Sequence, residues 1–555
     1  VAARPDHAEL RRIMEFIVGQ PISDRYVPLL EEELAVEGRD LRAPEWDAGS
    51  LAPDRPMRVV VIGAGMSGIA AGHRLGQAGV DYVVYDKNDD VGGTWFENDY
   101  PGCRVDVQNH MYSYSFAQRH DWPQYFSDRH VLVDYFRRVA EDTGVLANVV
   151  LRTEVASCTW HHDEDRWELV VRAGGVERTE WADAVVSAVG QLNRPRFPDI
   201  NGRDDFAGPS FHSGAWDHDV ELAGKRVVVI GTGASACQFV PIVARDASEL
   251  TVLQRTAPWL IPAERIHSDV ADGFAWLLGR APFYAQWYRF WLFWRGAEGM
   301  LPAATVDPEY PPTERAVSAR NDEMRALLTD YLRVMAGGDD ELFEQLLPDY
   351  PPLSKRFVLD NGVWPATMRQ EHVSLVSTGI ERIEADGVRT DDGVLHEADV
   401  IIYGTGFRAA DFLVPMQVTG RDGVDLHERW GGDARAYLGI VAPSFPNLFF
   451  LYGPNTNIVV NGSIIYFSEC EVHYVVESIR MLLEQDVRSM ECRPDVHDAY
   501  NERIDAANRL RAWGFSSVSS WYKNTTGRTA QNWPFSVLEY WEQTRRPDPD
   551  DFVLR

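Results

Sequence analysis

The sequence predicts an α/β protein with two separate parallel-sheet units, and three observations carry that prediction. The segment MRVVVIGAGMSGIAAGHRLGQAG (57–79) is a β-branched run of buried-strand character, then a glycine-rich turn, then a small-residue helix. The same design recurs in KRVVVIGTGASACQFVPIVA (225–244), so the first half of a βαβ unit occurs twice. Two later strand-like runs, ADVIIYGTGF (398–407) and FPNLFFLYGPNTN (445–457), end in glycine-containing turns of the kind that return a chain to an earlier parallel sheet. The first unit is therefore read as discontinuous.

Bulk properties agree with a large globular chain. Its 555 residues are 45% hydrophobic and 25% charged, enough for several folding units and too apolar for disorder. Lys and Arg total 54 against 84 Asp and Glu, and the resulting charge of −30 repels polyanions, which argues against nucleic acid and anionic membrane as bulk partners. The five cysteines, Cys103, Cys158, Cys237, Cys470 and Cys492, are scattered and contain no CxxC pair. They fit a reducing compartment, with neither a disulfide framework nor a zinc or other metal site. No basic region followed by an apolar run opens the chain, and the expected location is cytoplasmic. Val1 in place of Met implies numbering that starts inside the gene product or after processing.

Taken in order, residues 1–56 carry helical spacing broken by Pro21 and Pro28 and read as a helical extension and linker. Its Leu29, Leu30 and Leu34 are expected to pack on the body or on a second subunit, which would make a homodimer. The first unit spans 57–205, a connection 206–219, and the second unit 220–395 with a helical insertion at about 262–345. Residues 396–545 return to the first unit, and 546–555, with PDPDD, read as a solvated tail. The aromatic stretch 274–294 is open to three uses: helix core, substrate entrance, or a membrane-surface element. Arg280, Arg289 and Arg295 interrupt the longer apolar run 274–301 that contains it, so this run is not expected to cross a bilayer.

Each glycine turn has a chemical reading. In GxGxxG, Gly63 permits the tight turn, Gly65 lets backbone approach a pyrophosphate, and Gly68 lets helix and strand pack closely. Asp86, at the end of DYVVYD (81–86), is placed to accept hydrogen bonds from a ribose diol. The second turn is GxGxxA, with Gly231, Gly233 and Ala236, but its next strand ends in Gln254-Arg255-Thr256, where the first ended in an acid. Arg255 suits a 2′-phosphate, which an acid would repel, unless it is merely a solvated surface residue. The pair of sites therefore reads as FAD first and NADPH second.

Two longer patterns then become specific. FAGPSFHSGAWD (206–217) fits FxGxxxHxxxW followed by Pro or Asp through Phe206, Gly208, His212, Trp216 and Asp217, and GGTWFENDYPGCRVD (92–106) supplies a Gly pair, Trp, Tyr-Pro-Gly and a downstream Asp. In both, the sequence resembles the Baeyer–Villiger monooxygenases, over about 57–545. SWYKNTTGR (520–528) and the helical extension are similar to the 4-hydroxyacetophenone monooxygenase branch.

The resemblance implies a flavin reduced by NADPH that uses O₂ to convert a ketone, an aryl or other bulky apolar one being the expected kind, to an ester or lactone, with some sulfoxidation. It implies that Arg356, in SKRFVLDNG (354–362), is the catalytic arginine and Asp106 the carboxylate that positions it. FAD would be met by Gly63, Gly65, Gly68, Asp86, Gly93, Thr94, Trp95, Asp106 and Tyr112. NADPH would be met by Gly231, Thr232, Gly233, Ala234, Ser235, Arg255, Lys355 and the indole of Trp521. Asp86 and Tyr403 depart from the Glu and Ala of the family pattern. His212 is expected to organise the connection between domains, because attack on a ketone by a flavin oxygen adduct needs no histidine base. Trp521 and Tyr112 have a core-aromatic reading beside the functional one, as Lys355 and Arg356 have one as a solvated basic patch.

Three rivals share parts of this design. A flavin disulfide reductase needs a cysteine pair, and none of the five cysteines is close to another in sequence. Flavin-dependent N- or S-oxygenases share both glycine turns. A nucleotide-binding protein without turnover shares the fold alone.

Overall fold

The computed structural model describes residues 5–35, 38–297, 299–311 and 313–555; Val1 lies outside them. Two five-stranded, all-parallel sheets organise the chain. In the first, Arg58–Ile62 is central, flanked by Asp81–Tyr85 and Val149–Val150 on one side and by Ala184–Ser187 and Leu448–Phe450 on the other. Phe450 registers with Ser187, so a strand from beyond the second unit completes the first sheet and the unit is discontinuous. In the second sheet Arg226–Ile230 lies between Glu249–Leu253 and Val400–Tyr403, with Val373–Val376 and Ser210–His212 at the edges.

Side-chain alternation explains why both strands are nearly continuous in valine. Val59 and Val61 pack with Ile69 and Ala70 of helix Met66–Gln77 and with Phe467 and Val475 of helix Ile464–Glu484. Val60 and Ile62 face the other way, onto Trp160, Trp167 and Leu169 of a mixed, mainly antiparallel sheet. Both faces are covered, so neither residue parity can be polar. The second sheet repeats this arrangement, with Val227 and Val229 under helix Ala234–Asp246 and Val228 and Ile230 against Ile383 and Val388 of a small antiparallel meander.

Three features differ from the sequence reading. The four-stranded sheet of Thr153–His161, Arg166–Ala173, Val176–Ala182 and Gln417–Thr419 has no glycine-turn signature, and its last strand is far away in sequence. The helices of the insertion do not form one body: Phe290 and Phe293 join the core of the first unit, whereas Leu328, Leu332 and Leu342 join that of the second. The final residues are not a solvated tail, because Phe552–Leu554 pairs antiparallel with Met490–Cys492 and buries Phe552.

The extension packs on the body. Helix His7–Val18 is capped by Asp6, which accepts from Glu9 N at 2.8 Å, and ends at Gly19 with φ +70°. Helix Tyr26–Leu34 buries Leu29, Leu30 and Leu34 in the first unit's core. Tyr26 meets Trp294 edge-on with ring centroids 5.2 Å apart. The apolar face that a second copy would have needed is thus covered by the chain itself.

Removing residues 1–50 strips Leu29, Leu30 and Leu34 from a shared core and exposes the surface beneath them. The expected product melts at lower temperature and aggregates in size-exclusion chromatography; an unchanged melting temperature would contradict this packing.

Candidate active site

A cavity of about 1620 Å³ opens where the carboxyl ends of the two central strands meet. This is where open α/β sheets bind ligands, because the strands deliver turns there and the following helices present free N–H groups. Gly63 and Gly231 make both turns with φ of +103° and +109°. A Cβ at Gly63 would sit 2.6 Å from Ala188 O, and one at Gly231 would sit 2.5 Å from Gly404 O. At Gly68 a Cβ would come within 1.8 Å of Gly63 O, so helix and turn close only on glycine. The helices that follow start at Gly65 and Gly233, and neither has a side-chain cap. Their orphan N–H groups point at the cavity mouth, an arrangement that fits a pyrophosphate at each turn.

The first unit supplies Gly65, Asp86, Gly93, Thr94, Trp95, Asp106 and Tyr112 to the lining. Asp86 is buried, which raises its pKa against the opposing bonds from Ala64 N at 2.6 Å and Asn88 N at 2.8 Å. Its carboxylate therefore braces the glycine turn as well as facing the cavity, and each oxygen keeps a second lone pair for a ribose hydroxyl. Tyr112 Oη accepts from Trp95 Nε1 at 3.1 Å, joining two of the proposed flavin contacts.

The second unit supplies Gly231, Thr232, Gly233, Ala234, Ser235, Arg255, Lys355 and Arg356, and Trp521 closes one side. Arg255 is exposed to the cavity and makes no hydrogen bond or ion pair among the described residues. Lys355 Nζ donates to Thr256 Oγ1 at 2.6 Å; burial, then the charge of Arg255, lowers its pKa to about 8. Two cations thus converge where a 2′-phosphate would neutralise them.

Arg356 and Asp106 form an ion pair across the cavity floor, with 28% and 31% of their side chains left open to it. Burial works against the charge of Arg356, but Asp106 outweighs it and holds the guanidinium above its ordinary value. The result is a permanent, oriented cation with free N–H donors in a half-enclosed site.

Residues 56–277 match the family described as flavin-binding monooxygenase-like. A Baeyer–Villiger monooxygenase of Streptomyces coelicolor is 36% identical over 502 residues, which cover 90% of this chain and 93% of that protein. The chain belongs to the Baeyer–Villiger monooxygenase family. Among solved structures, a closed form of cyclohexanone monooxygenase is 25% identical with a TM-score of 0.77, covering 90% of this chain and 100% of that one. OTEMO in complex with FAD and NADP is 26% identical with a TM-score of 0.76, covering 90% and 100%.

None of the five pattern residues of this Baeyer–Villiger family member at 206–217 lines the cavity. His212 registers with Tyr403 at a sheet edge, its ring between Phe197 and Phe407 with centroids 5.5 and 5.6 Å away. Its Nδ1 accepts from Gly214 N at 2.9 Å. Trp216 packs between Phe211 and Phe239, and Gly208 passes so close to Asp399 O that a Cβ would lie 2.6 Å from it. Phe206 packs on the second unit's meander, and Asp217 accepts from Asp219 N at 3.1 Å. Phe206, Gly208, His212 and Trp216 thus pack on the second unit, away from the cavity.

Two tyrosines escaped the sequence reading. Tyr452 lines the cavity and Tyr522 is fully buried beside Trp521; both face the Arg356 charge. Tyr452 follows a buried strand at its carboxyl end, the one signal that would have found it. Tyr522 had no such signal.

Burial lowers the His212 pKa to about 4, opposed only by the Gly406 backbone, so the ring is neutral at pH 7. In ¹³C-histidine NMR its resonance, assigned through His212→Gln, should stay unprotonated from pH 9 down to about 5. A midpoint near 6.5 would contradict this burial.

Proposed function

We infer that this cavity binds FAD at the first glycine turn and NADPH at the second, and that the enzyme inserts one oxygen atom of O₂ beside a ketone carbonyl to give an ester or lactone. The observation that carries the site assignment is the Asp106–Arg356 pair, which sets a fixed positive charge in a cavity flanked by two dinucleotide cradles. FAD, when bound and reduced by NADPH, supplies the electrons that activate O₂. Arg356 offers hydrogen bonds to the negative charge that develops when a ketone carbonyl becomes tetrahedral. Asp106 holds that guanidinium in one orientation, so little reorganisation is needed as the charge forms. Arg255 and Lys355 select the phosphorylated coenzyme.

The lining of the same cavity includes Met111, Trp291, Leu292 and Phe357, an apolar, aromatic wall that favours an aryl or other bulky apolar ketone. No helix among the described residues is long and apolar enough to cross a membrane. All five cysteines are free and four are buried, which supports a reducing, cytoplasmic setting.

The deciding assay offers acetophenone and cyclohexanone with NADPH and follows O₂ uptake and product mass together. Esters or lactones are expected; N-oxides and sulfoxides from amine and sulfide substrates, with no ester, would favour the rival oxygenase reading. Arg356→Ala should still be bleached by NADPH under anaerobic conditions while ester formation falls about 10²–10³-fold, the usual loss for one preorganised charge partner. Asp106→Ala should lose less, because the cation remains. Ester formation near the wild-type rate in Arg356→Ala would overturn the assignment.

For the coenzyme, Arg255→Ala should lose about 1.5–3 kcal/mol of 2′-phosphate recognition, a typical charge-assisted hydrogen bond. The kcat/KM ratio of NADPH over NADH would then drop roughly 10- to 100-fold. An unchanged ratio removes Arg255 from the coenzyme site.

A further inference from the structure

A buried ion network reaches from the N-terminal extension to the cavity wall. Arg289 lies on helix Tyr284–Ala297 with its side chain 4% exposed, and its Nη2 pairs with Glu33 of the extension at 2.9 Å. The other oxygen of Glu33 pairs with Arg42 at 2.7 Å, and Arg42 goes on to Glu32 and to Glu469 of helix Ile464–Glu484. Burial opposes the Glu33 charge, but Arg42 and Arg289 keep its carboxyl below the ordinary range.

The rest of the Arg289 fork grips a different segment. Nη1 donates to His110 O at 3.1 Å and to Ser113 Oγ at 2.9 Å, and Nη2 donates to Ser113 O at 3.0 Å. One residue earlier on the helix, Tyr288 Oη donates to Gln108 Oε1 at 2.9 Å. The helix therefore holds 108–113, the stretch that begins just after Asp106 and carries Met111 and Tyr112 into the cavity. Within the next two turns the same helix contributes Trp291, Leu292 and Gly296 to that cavity. The two walls touch there, since a Cβ at Gly296 would lie 3.3 Å from Met111 Cε.

We propose that Glu33 and Arg289 are positioning residues that set the spacing between the two walls of the ketone site, which makes the N-terminal extension a determinant of substrate selectivity. The observations that carry this are the geometry of the fork, with one guanidinium bonded at once to the extension and to one wall while its own helix forms the other. Arginine suits the task because its planar fork fixes several acceptors relative to one another, which an ammonium does not. The inference rests on the ketone-oxidising activity and goes beyond it, since neither residue lines the cavity.

The test compares Arg289→Lys, which keeps the charge facing Glu33 but loses the fork, with Ser113→Ala, which removes one acceptor and leaves every ion pair in place. Purified holoenzyme is used, and acetophenone and cyclohexanone are the probes. Arg289→Lys is expected to raise the KM for bulky acetophenone about fivefold or more relative to cyclohexanone, with the KM for NADPH and the anaerobic bleaching rate unchanged. Ser113→Ala should shift the same ratio in the same direction by less. A readout independent of turnover is the acetophenone dissociation constant of the oxidised holoenzyme, followed by perturbation of its visible absorbance, which should weaken in parallel. Wild-type selectivity and affinity in Ser113→Ala together with Arg289→Lys would overturn the proposal, whatever the melting temperatures. Should Arg289→Lys fail to fold, unaltered selectivity in Ser113→Ala alone overturns it. If the wild-type enzyme forms no ester from either ketone, the activity reading fails instead, and the acetophenone titration still reports on the walls.

Discussion

One ion pair, Asp106 with Arg356, joins chemistry that the chain supplies from two different folding units. Opposite charges this close are useful only if their carriers cannot drift, and the surrounding structure is arranged around that requirement. Asp106 follows the segment 100–104, which is fastened to helix Ala234–Asp246 of the other unit. Tyr100 Oη donates to Gln238 Oε1 at 2.9 Å, and Gln238 Nε2 donates back to Arg104 O at 3.0 Å. Gly102 passes so close to that helix that a Cβ would lie 2.9 Å from Gln238 O. On the far side, Arg356 sits between Ser354, whose hydroxyl donates to Ala512 O at 3.2 Å, and the strand Val358–Asp360. A bidirectional amide clamp and a short parallel strand thus fix both partners of the pair.

What was legible in the sequence is what short-range sterics dictate. Two valine-rich strands running into glycine turns announce themselves because only glycine closes those turns and only apolar side chains suit a sheet covered on both faces. The charge difference between Asp86 and Arg255 was equally local, and both lie in the cavity. What stayed hidden depends on partners far apart in sequence. Nothing in 272–297 says that its helices leave the second unit for the first, and nothing in 552–554 names 490–492 as its neighbour. The carboxylates of Glu32 and Glu33 look like a solvated acidic run until Arg42, Arg289 and Glu469 are placed around them.

The conserved-looking pattern at 206–217 carries a different lesson. The sequence reading expected His212 to organise the connection rather than act as a base, and the structure packs these residues away from the cavity: a histidine held neutral between two phenylalanines, a tryptophan bridging Phe211 and Phe239, a glycine under a carbonyl. His212 ends the edge strand of the second sheet, and Trp216 packs on the helix that follows the second glycine turn.

The two ends of the sequence meet on the same surface. Arg25 pairs with Glu542 at 2.5 Å, and Glu32 receives Trp541 Nε1 at 2.8 Å and Arg545 at 3.0 Å. During synthesis, then, the extension is made about 500 residues before its last partners exist. Until then Glu32 and Glu33 keep their hydration, because burying them beside an incomplete set of cations is unfavourable. The first unit, begun before the second, thus obtains its last strand only after every strand of the second sheet has been made.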